Sequence, residues 1–391
     1  MRTVIAPGAV VIGGDYMGLG IVRSLAAFGI ATCVVDDERS IARFSRYAAR
    51  SVRVPDLRDS DAALNSLLRV GRELDLEGWV LYPTRDETVA VLSQHRSALS
   101  AVFRVPTPPW NVIEVAWDKR RTYATAQELG VPIPATWYPA QGPMPPEMEH
   151  RFPLVVKPAI KEHFIYATKV KAWRADSPSE LTALLARAEE LIGEDEIMVQ
   201  EMIPGDGAQQ FAHCSFFKDG RSLVSMVVRR RRQHPPEFGR ASTYVETADA
   251  PELEAASERF LGAIGYYGLV EVEYKLDARD GEFKLLDVNA RTWGYHTVGL
   301  AAGVNFPYSL YRDQTGALVT PERARPGVRW IRLVTDLPTG LLEIRHGRLP
   351  WRRFIESMRQ ADVEAVFDRR DPAPFLREVA LLPYLAVKRG F

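Results

Sequence analysis

Residues 269–291 of the chain read LVEVEYKLDARDGEFKLLDVNAR, and they are the most informative part of the sequence. It contains two runs, 269–276 and 282–288, in which apolar and polar residues alternate as they do in half-buried strands. A turn containing Asp280-Gly281 separates the runs, and such a turn between alternating segments predicts an antiparallel hairpin. The late part of the chain is therefore predicted to form an antiparallel sheet.

Four polar residues of this hairpin are predicted to converge. Period-2 alternation places Asp287, Asn289 and Arg291 on one face of their strand, and the turn brings Glu273 opposite them. Two carboxylates and a carboxamide oxygen form a hard, all-oxygen site that suits Mg²⁺ beside phosphates. An arginine next to it can hold a carboxylate or phosphoryl group through two parallel hydrogen bonds. The alternative is a solvated strand face with incidental ion pairs, but the occurrence of all four residues together favours the metal site.

Two lysines and one strand exit upstream are typical of a nucleotide site. Lys119 lies on a predicted helix, and Lys157 ends an apolar strand, where a buried lysine is costly unless it meets an anion such as a phosphate. The run Gln200 to Gly207 leaves a strand through Pro-Gly and is consistent with a hinge whose backbone pairs with adenine. Each feature alone has an ordinary alternative, a surface charge or a plain strand exit.

The first part of the chain alternates short apolar strands with helices, which predicts a parallel, doubly wound sheet. Its first turn, Gly13 to Gly20, has a G-x-x-x-G-x-G spacing that departs from the dinucleotide-binding fingerprint, although Asp36 follows the second strand. A nicotinamide site therefore stays an alternative. A single helix is predicted from about 111 to 129, followed by strands at 154–157 and 169–173.

In this order and spacing, the elements resemble the ATP-grasp superfamily of carboxylate–amine ligases over residues 119–303. The resemblance implies an α/β and α+β chain, in which a Rossmann-like pre-ATP-grasp domain precedes a two-lobed ATP-grasp fold. The expected domains are residues 1–115 for the N-terminal domain and 116–200 for the small lobe with its linker helix. Residues 201–320 would form the large lobe with the metal site, and 321–391 a mixed C-terminal extension.

The resemblance also implies roles for individual residues. Lys119 and Lys157 would bind the ATP phosphates, Glu201, Met202 and Ile203 would form the adenine hinge, and Asp206 would reach the ribose. Glu273, Asp287 and Asn289 would bind Mg²⁺ or Mn²⁺, while Arg291, together with Lys157, would be catalytic. Two departures stand out. The superfamily more often has glutamate where this chain has Asp287, and the segment 159–164 after Lys157 lacks the usual glycines.

Further features resemble a branch near the D-aspartate ligase-like carboligases. They are the basic run 229–232 with the turn that follows it, and the segment 289–296 that extends the metal strand. An arginine cluster near the active site can bind a carboxylate or phosphate, although a charge run is usually a solvated face. The residues considered for substrate contact are Asp15, Arg85, Asp86, Arg230, Arg232 and His296.

The composition narrows the functional class. Fifty basic and 50 acidic residues leave a formal net charge of +0, which gives no electrostatic indication of a nucleic-acid or membrane partner. Two distant cysteines and no apolar span of membrane length indicate a cytoplasmic protein. The expected partners are a small carboxylate and an amine, with a homodimer left open. The alternatives to a ligase are an NAD-linked oxidoreductase and a non-catalytic nucleotide-binding regulator.

Overall fold

The structure is a computed structural model that describes residues 7–236, 238–239 and 241–389, with the backbone alone for 385–389. Its first unit is a four-stranded parallel sheet in the order β3-β2-β1-β4, which confirms the predicted parallel arrangement. The strands are β1 (Ala9–Ile12), β2 (Thr32–Asp36), β3 (Arg50–Arg53) and β4 (Val80–Pro83). The helices of this unit are α1 (Tyr16–Ala26), α2 (Ser60–Glu73), α3 (Asp86–Gln94) and α4 (Arg96–Ser100). β1, β2 and β4 are buried along their whole length, as expected for apolar strands of a parallel sheet covered on both faces.

Two helices follow, α5 (Trp110–Trp117) and α6 (Lys119–Glu128), where the sequence predicted one. The break lies at Asp118, which has an extended backbone and whose carboxylate accepts a hydrogen bond from the Arg120 N–H at 2.9 Å. An aspartate that caps a helix in this way stabilises a new helix start and so competes with helix continuation. The break places Lys119 in the first turn of α6, and its backbone N–H donates to the Ala159 carbonyl.

A second sheet has four antiparallel strands in the order β5-β8-β6-β7. They are β5 (Thr136–Trp137), β6 (Leu154–Pro158), β7 (Trp173–Ala175) and β8 (Ile197–Glu201), accompanied by helices α7 (Pro146–Glu149), α8 (Lys161–Thr168) and α9 (Pro178–Ile192). The predicted strand at 169–173 is misplaced, because β7 begins only at Trp173. The glycine-poor segment after Lys157 forms helix α8, which ends at Lys169 in a left-handed conformation with φ of 63°.

The third sheet has eight strands, seven of them in the order β13-β12-β9-β10-β11-β15-β16, with β14 paired to β10. The strands are β9 (Gln210–Lys218), β10 (Arg221–His234), β11 (Ala241–Ala248), β12 (Gly268–Leu276), β13 (Phe283–Asn289), β14 (Glu322–Arg323), β15 (Arg329–Ile331) and β16 (Val363–Glu364). Helices α10 (Pro251–Ala263), α11 (Thr297–Ala302) and α12 (Phe306–Gln314) accompany them. β12 and β13 form the predicted antiparallel hairpin.

The last 70 residues extend this third sheet through β14, β15 and β16 and add three helices. The helices are α13 (Leu333–Arg345), α14 (Trp351–Arg359) and α15 (Ala373–Arg389). Buried ion pairs tie them to the rest, including Arg332–Glu378 at 2.7 Å and Arg23–Asp371 at 3.0 Å. The domain limits stay predictions. None of the helices in the described ranges has the length and apolar character that a membrane span requires.

Two glycine substitutions, one near the start of α1 and one within α10, are predicted to have opposite effects on the stability of the fold. A Cβ at Gly18 would lie 2.1 Å from the Gly13 carbonyl oxygen, and backbone atoms cannot yield to it as a flexible side chain would. We expect Gly18→Ala to destabilise the fold by about 1–3 kcal/mol or more, as overpacking does. Gly262→Ala, within α10, meets no atom closer than 3.9 Å and should instead stabilise it by about 0.5–1 kcal/mol. Urea unfolding of both variants measures this, and equal effects would contradict it.

Candidate active site

Two adjoining cavities collect most of the residues singled out from the sequence. The larger, of about 750 Å³, lies between the second and third sheets, and it is lined by Lys119, Lys157, Glu201, Met202, Ile203, Asp206, Arg230, Arg232, Glu273 and Asp287. The smaller, of about 270 Å³, is lined by Asp86, Asn289 and Arg291 among others. Lys161, Lys171, Arg230 and Glu273 line both cavities, so these four residues mark where they meet. The larger cavity is called the cleft below, and the smaller one the side cavity.

The β12–β13 hairpin supplies the acidic patch at this junction. Its register pairs Glu273 with Asp287 and Glu271 with Asn289. The Asn289 side-chain amide donates to Glu273 at 3.0 Å and to Glu271 at 3.1 Å, so these three side chains share one face. Arg291 lies beyond the end of β13, and its predicted strand position is therefore wrong. Its guanidinium nevertheless reaches the same patch, 3.3 Å from the Asn289 carboxamide oxygen.

Glu271 is a member of the patch that sequence reasoning missed. Its carboxylate is buried and accepts a hydrogen bond from the Tyr295 hydroxyl. Burial, together with the neighbouring charge of Glu273, raises the pKa of Glu271 to about 7. The signal was available in the alternation Glu271-Val272-Glu273, which puts both glutamates on the same face of β12.

Lys119 and Lys157 lie side by side with different partners. The Lys119 ammonium donates to Asp287 at 2.7 Å, and although burial opposes ionisation, Lys119 and Lys161 hold the pKa of Asp287 below its usual value. The Lys157 ammonium donates to the Tyr123 hydroxyl at 2.9 Å and to the Gln200 carboxamide oxygen at 2.6 Å. Burial, reinforced by the positive charge of Lys119, lowers the pKa of Lys157 to about 7. A buried lysine of this kind gains most from an arriving anion.

Helix α8 adds Lys161, which the sequence did not distinguish from a surface lysine. Its ammonium lies 2.6 Å from the Asp86 carboxylate and 3.2 Å from the Asn289 carboxamide oxygen. Lys171, just beyond α8, lines both cavities as well. Arg230 completes the cationic wall and lies 3.2 Å from Glu273. The packing of the sheets brings these side chains together, and their spacing along the chain does not indicate that they meet.

Asp86 and Arg291 form a forked ion pair across the side cavity. The Arg291 Nε and Nη2 atoms lie 3.0 and 3.1 Å from the two carboxylate oxygens of Asp86. Although burial opposes ionisation, Arg291 and Lys161 hold the pKa of Asp86 well below its usual range. Asp86 begins α3 of the N-terminal unit, so this unit supplies one wall of the site.

Three of the residues considered for substrate contact line neither cavity. Asp15 caps α1 by accepting from the Met17 N–H at 2.9 Å, and Arg85 pairs with Asp36 and Asp37. His296 is buried beside Gly20, and burial lowers the pKa of its imidazole to about 4. Their polar groups serve helix capping, ion pairing and packing, and their assignment to the substrate stays a prediction.

The basic run of β10 divides between the two cavities and neighbouring acids. Arg230 lines both cavities, whereas Arg232 lines only the cleft and is held in a forked pair by the buried Asp336, at 2.9 and 2.7 Å. Arg231 pairs with Glu246. Of the two arginines considered for substrate contact, Arg230 is thus the one that reaches the side cavity.

The segment leaving β8 is held rigidly at the edge of the cleft. The Glu201 carboxylate accepts from the Ala135 N–H at 2.9 Å and pairs with Arg151 and Arg279, each at 2.7 Å. The Met202 N–H donates to the Pro153 carbonyl, and the Ile203 carbonyl accepts from Lys275 at 2.7 Å. Asp206 caps a short turn by accepting from the Ala208 N–H.

The Asp36 carboxylate, which a nicotinamide site would use to bind the ribose, already has partners within the protein. Asp36 accepts a hydrogen bond from the Gly14 N–H at 2.6 Å and pairs with Arg85 at 2.7 Å. Both of its carboxylate oxygens are therefore engaged within the protein. This observation weighs against the oxidoreductase alternative.

Nowhere in residues 7–236, 238–239 and 241–384 do three or more His, Cys, Asp or Glu side chains cluster in a way that could hold a metal. The patch nevertheless offers oxygen ligands of the kind that Mg²⁺ prefers, from the Glu273 and Asp287 carboxylates and the Asn289 carboxamide. Their charge is now balanced by Lys119 and Arg230. The chemistry of this donor set fits magnesium held between the patch and phosphates.

The chain is similar to known proteins in sequence and in fold. The sequence model of a family described as "ATP-grasp in the biosynthetic pathway with Ter operon" matches residues 195–334. D-aspartate ligase of Enterococcus faecium is 24% identical over 297 residues, which cover 72% of this chain and 70% of that protein.

Solved structures share the fold. L-amino acid ligase of Bacillus licheniformis superposes with a TM-score of 0.61 at 18% identity, covering 80% of this chain and 75% of that one. The ADP complex of an N5-carboxyaminoimidazole ribonucleotide synthetase gives a TM-score of 0.63 at 13% identity and covers 88% and 87% of the two chains. The α/β organisation predicted from the sequence is thereby confirmed.

Proposed function

We propose that the chain is a C–N bond-forming ligase of the ATP-grasp superfamily and that it joins a carboxylate to an amine through an acyl phosphate. The amino-acid substrates named in its relatives, D-aspartate ligase and L-amino acid ligase, suggest an amino acid or a peptide-like acid. The products of the reaction would be an amide, ADP and phosphate.

One observation carries the proposal: acids, an amide and cations from separate parts of the chain meet where the cleft opens into the side cavity. Glu273 and Asn289 come from the β12–β13 hairpin, Lys161 from α8, and Asp86 from the N-terminal unit. Phosphoryl transfer needs little covalent chemistry from the protein and depends on positioning and charge stabilisation, which such a junction supplies.

The cleft is assigned to ATP. In this assignment, Glu201, Met202 and Ile203, which line the cleft, lie beside adenine, and Asp206 lies toward the ribose. Lys119 and Lys157 hold the phosphates, and Lys157 becomes fully charged when an anion replaces its neutral partners. Lys119 pairs with Asp287, one of the residues assigned to magnesium, and therefore lies close to the expected position of the phosphates.

Magnesium is assigned to Glu273, Asp287 and Asn289, with Mn²⁺ as an equivalent. When bound, the ion neutralises phosphate charge during the transfer. Before it binds, Lys119 balances Asp287 and Arg230 balances Glu273, so the patch is kept ionised and ready. The pairs that these cations make with the acids must open when the nucleotide arrives.

The reaction has two steps. A carboxylate oxygen of the acid attacks the γ-phosphorus, the bond between this phosphorus and the β,γ-bridging oxygen breaks, and ADP leaves. The amine nitrogen then attacks the acyl carbon, the bond from carbon to the phosphate oxygen breaks, and phosphate leaves as the nitrogen loses its proton. Lys157 and Arg291 stabilise the charge on the transferring group.

The proposal is tested by ADP release in the presence of hydroxylamine. Purified protein is incubated with Mg-ATP, hydroxylamine and each member of a panel of amino acids and small carboxylates. An acyl phosphate is captured as a hydroxamate, and the amount should equal the ADP released. ADP release without hydroxamate from any acid would rule out the acyl phosphate, and NAD(H) binding in place of Mg-ATP binding would support the oxidoreductase alternative.

The magnesium assignment predicts a change in metal requirement. Asp287→Asn removes one ligand charge, on which metal affinity depends, and we expect the Mg²⁺ concentration for half-maximal activity to rise about tenfold or more. Asp287→Glu is the matched control, since it keeps the charge and should retain a near-normal Mg²⁺ requirement. Magnesium titrations of ADP release at saturating ATP measure both. An unchanged requirement in Asp287→Asn would remove this residue from the metal site.

A further inference from the structure

Every nitrogen of the Arg291 guanidinium already has a partner inside the protein. Nε and Nη2 donate to the two oxygens of Asp86, Nη2 also lies 3.3 Å from Asn289, and Nη1 donates to the Thr292 carbonyl at 3.2 Å. The fork that the proposed function needs for the acid substrate is therefore filled by a carboxylate of the protein itself. A substrate carboxylate can take this position only if Asp86 leaves it.

Lys161, the second cation paired with Asp86, is also attracted by the nucleotide phosphates during the reaction. Lys161 lies 2.6 Å from Asp86, but it also lines the cleft and lies 3.2 Å from Asn289. Phosphates arriving in the cleft attract Lys161, just as a substrate carboxylate attracts Arg291. Asp86, whose side chain is only 16% exposed, would then be a buried carboxylate that has lost both cations. Such a group is strongly unfavourable unless a new cation replaces them.

A cation that replaces Arg291 and Lys161 beside Asp86 would have to lie in the side cavity, one wall of which is acidic. Glu87 and Glu162 line it together with Asp86, and the ion pair of Glu162 with Lys161 is long, at 3.9 Å. The cavity measures about 270 Å³, which is below the roughly 300–1,000 Å³ of pockets for drug-sized ligands. Its size and charge therefore suit a small molecule that carries a positive group next to its carboxylate.

We infer that Asp86 selects the acid substrate by exchange: the substrate carboxylate replaces Asp86 on Arg291, and Asp86 binds the ammonium group of the same substrate. The acid substrate is then a zwitterionic amino acid, and Arg291 and Asp86 each keep an oppositely charged partner when it binds. This inference rests on the proposed function, because it assumes that Arg291 receives the acid. It adds to that function a specificity residue supplied by the N-terminal unit.

The experiment compares amino acids with the same acids lacking the amino group, using hydroxylamine as the amine. The pairs are aspartate and succinate, alanine and propionate, and phenylalanine and 3-phenylpropionate, with both enantiomers of each amino acid. For the pair that reacts, we expect kcat/KM to favour the amino acid. In Asp86→Asn this preference should fall by about 30-fold or more, since truncating one partner of a buried charge pair has an effect of that size. The fall should come from the amino acid, and both members of each pair are compared at saturating ATP.

Two further variants separate selection from a loss of structure. Asp59→Asn changes an exposed aspartate that caps α2 in the same unit and should leave the preference intact. Asp86→Glu keeps the charge and should retain most of the preference, even if Asp86→Asn melts too low for kinetics. A wild-type protein that makes hydroxamate equally well from both members of every pair would overturn the inference and leave the proposed function standing. An equal loss on both members in Asp86→Asn would also overturn it, and no hydroxamate from any acid would overturn both proposals.

Discussion

Replacing Arg291 by alanine is expected to lower turnover by about 10²–10³-fold, the usual effect of losing one donor aimed at developing charge. Arg291 lines the side cavity at the point where the substrate carboxylate would meet the γ-phosphate, and its guanidinium approaches Asn289 of the proposed metal site. Its removal should therefore weaken stabilisation of the transferring phosphoryl group. Nucleotide affinity should change little, because Arg291 does not line the cleft assigned to ATP. Single-turnover ADP formation and equilibrium binding of ATP measure the two quantities.

The Arg291 variant should remain folded, because Asp86 keeps its ion pair with Lys161 at 2.6 Å. Arg323→Ala provides the matched control, since this arginine forms surface ion pairs with Asp249 and Glu254 and its side chain is 50% exposed. Surface pairs of this kind contribute little, and the control should turn over normally. Normal turnover in Arg291→Ala, with a melting temperature close to that of the wild type, would refute the catalytic role.

Replacing Lys157 by methionine is expected to weaken ATP binding by about 10- to 100-fold, the range for a lost hydrogen bond to a charged group. Among the described residues, Lys157 has only the neutral Tyr123 hydroxyl and Gln200 carboxamide as hydrogen-bond partners. A phosphate would supply the missing negative charge. Because the pKa of Lys157 is lowered to about 7, binding at pH 8 should also take up protons. Calorimetry in buffers of different ionisation enthalpy measures this uptake.

The difference in stability between Lys157→Met and the wild type should depend on pH. Lys157 has its pKa lowered in the folded protein, so the unfolded chain binds more protons between about pH 7 and the ordinary lysine value near 10.5. Wild-type stability therefore gains with rising pH in this window, relative to Lys157→Met. The methionine variant should be more stable than the wild type below pH 7, and this advantage should disappear as pH approaches 10.5.

Lys218→Met is the control for the measurements of ATP affinity and of proton uptake. Lys218 pairs with Asp313 at 2.7 Å and its side chain is 34% exposed, so its loss should change neither ATP affinity nor proton uptake. ATP affinity of wild-type strength in Lys157→Met would contradict a phosphate contact. Proton uptake that persists in this variant would show that a group other than Lys157 titrates on binding.

Features with local causes were predicted well from the sequence. The β12–β13 hairpin follows from alternation and a turn within 22 residues, from Gly268 to Asn289, and its register brings Glu273 opposite Asp287. The first parallel sheet follows from short apolar strands separated by helices. Both depend on contacts between neighbouring segments, so the pattern along the chain contains most of the relevant information.

Features that depend on competing local preferences were predicted less well. The break at Asp118 depends on one capping aspartate within a run that otherwise continues as helix. Helix α8 is short and only weakly amphipathic, and its sequence gave little sign that β7 would start as late as Trp173. Arg291 was assigned to β13, but the strand ends at Asn289. In these places, packing against other segments decides between alternatives of similar local free energy.

The kind of chemistry can be inferred from the sequence, because oxygen ligands and an arginine lie within one hairpin and two lysines lie on the elements that precede it. The other groups of the proposed site are brought to it by the folding of the whole chain. Asp86 and Arg291 are 205 residues apart and form a forked ion pair, while Asp15 and His296 are used for capping and packing. The physical reason is that the meeting of distant charges depends on how sheets and helices pack together, and spacing along the chain does not encode that arrangement.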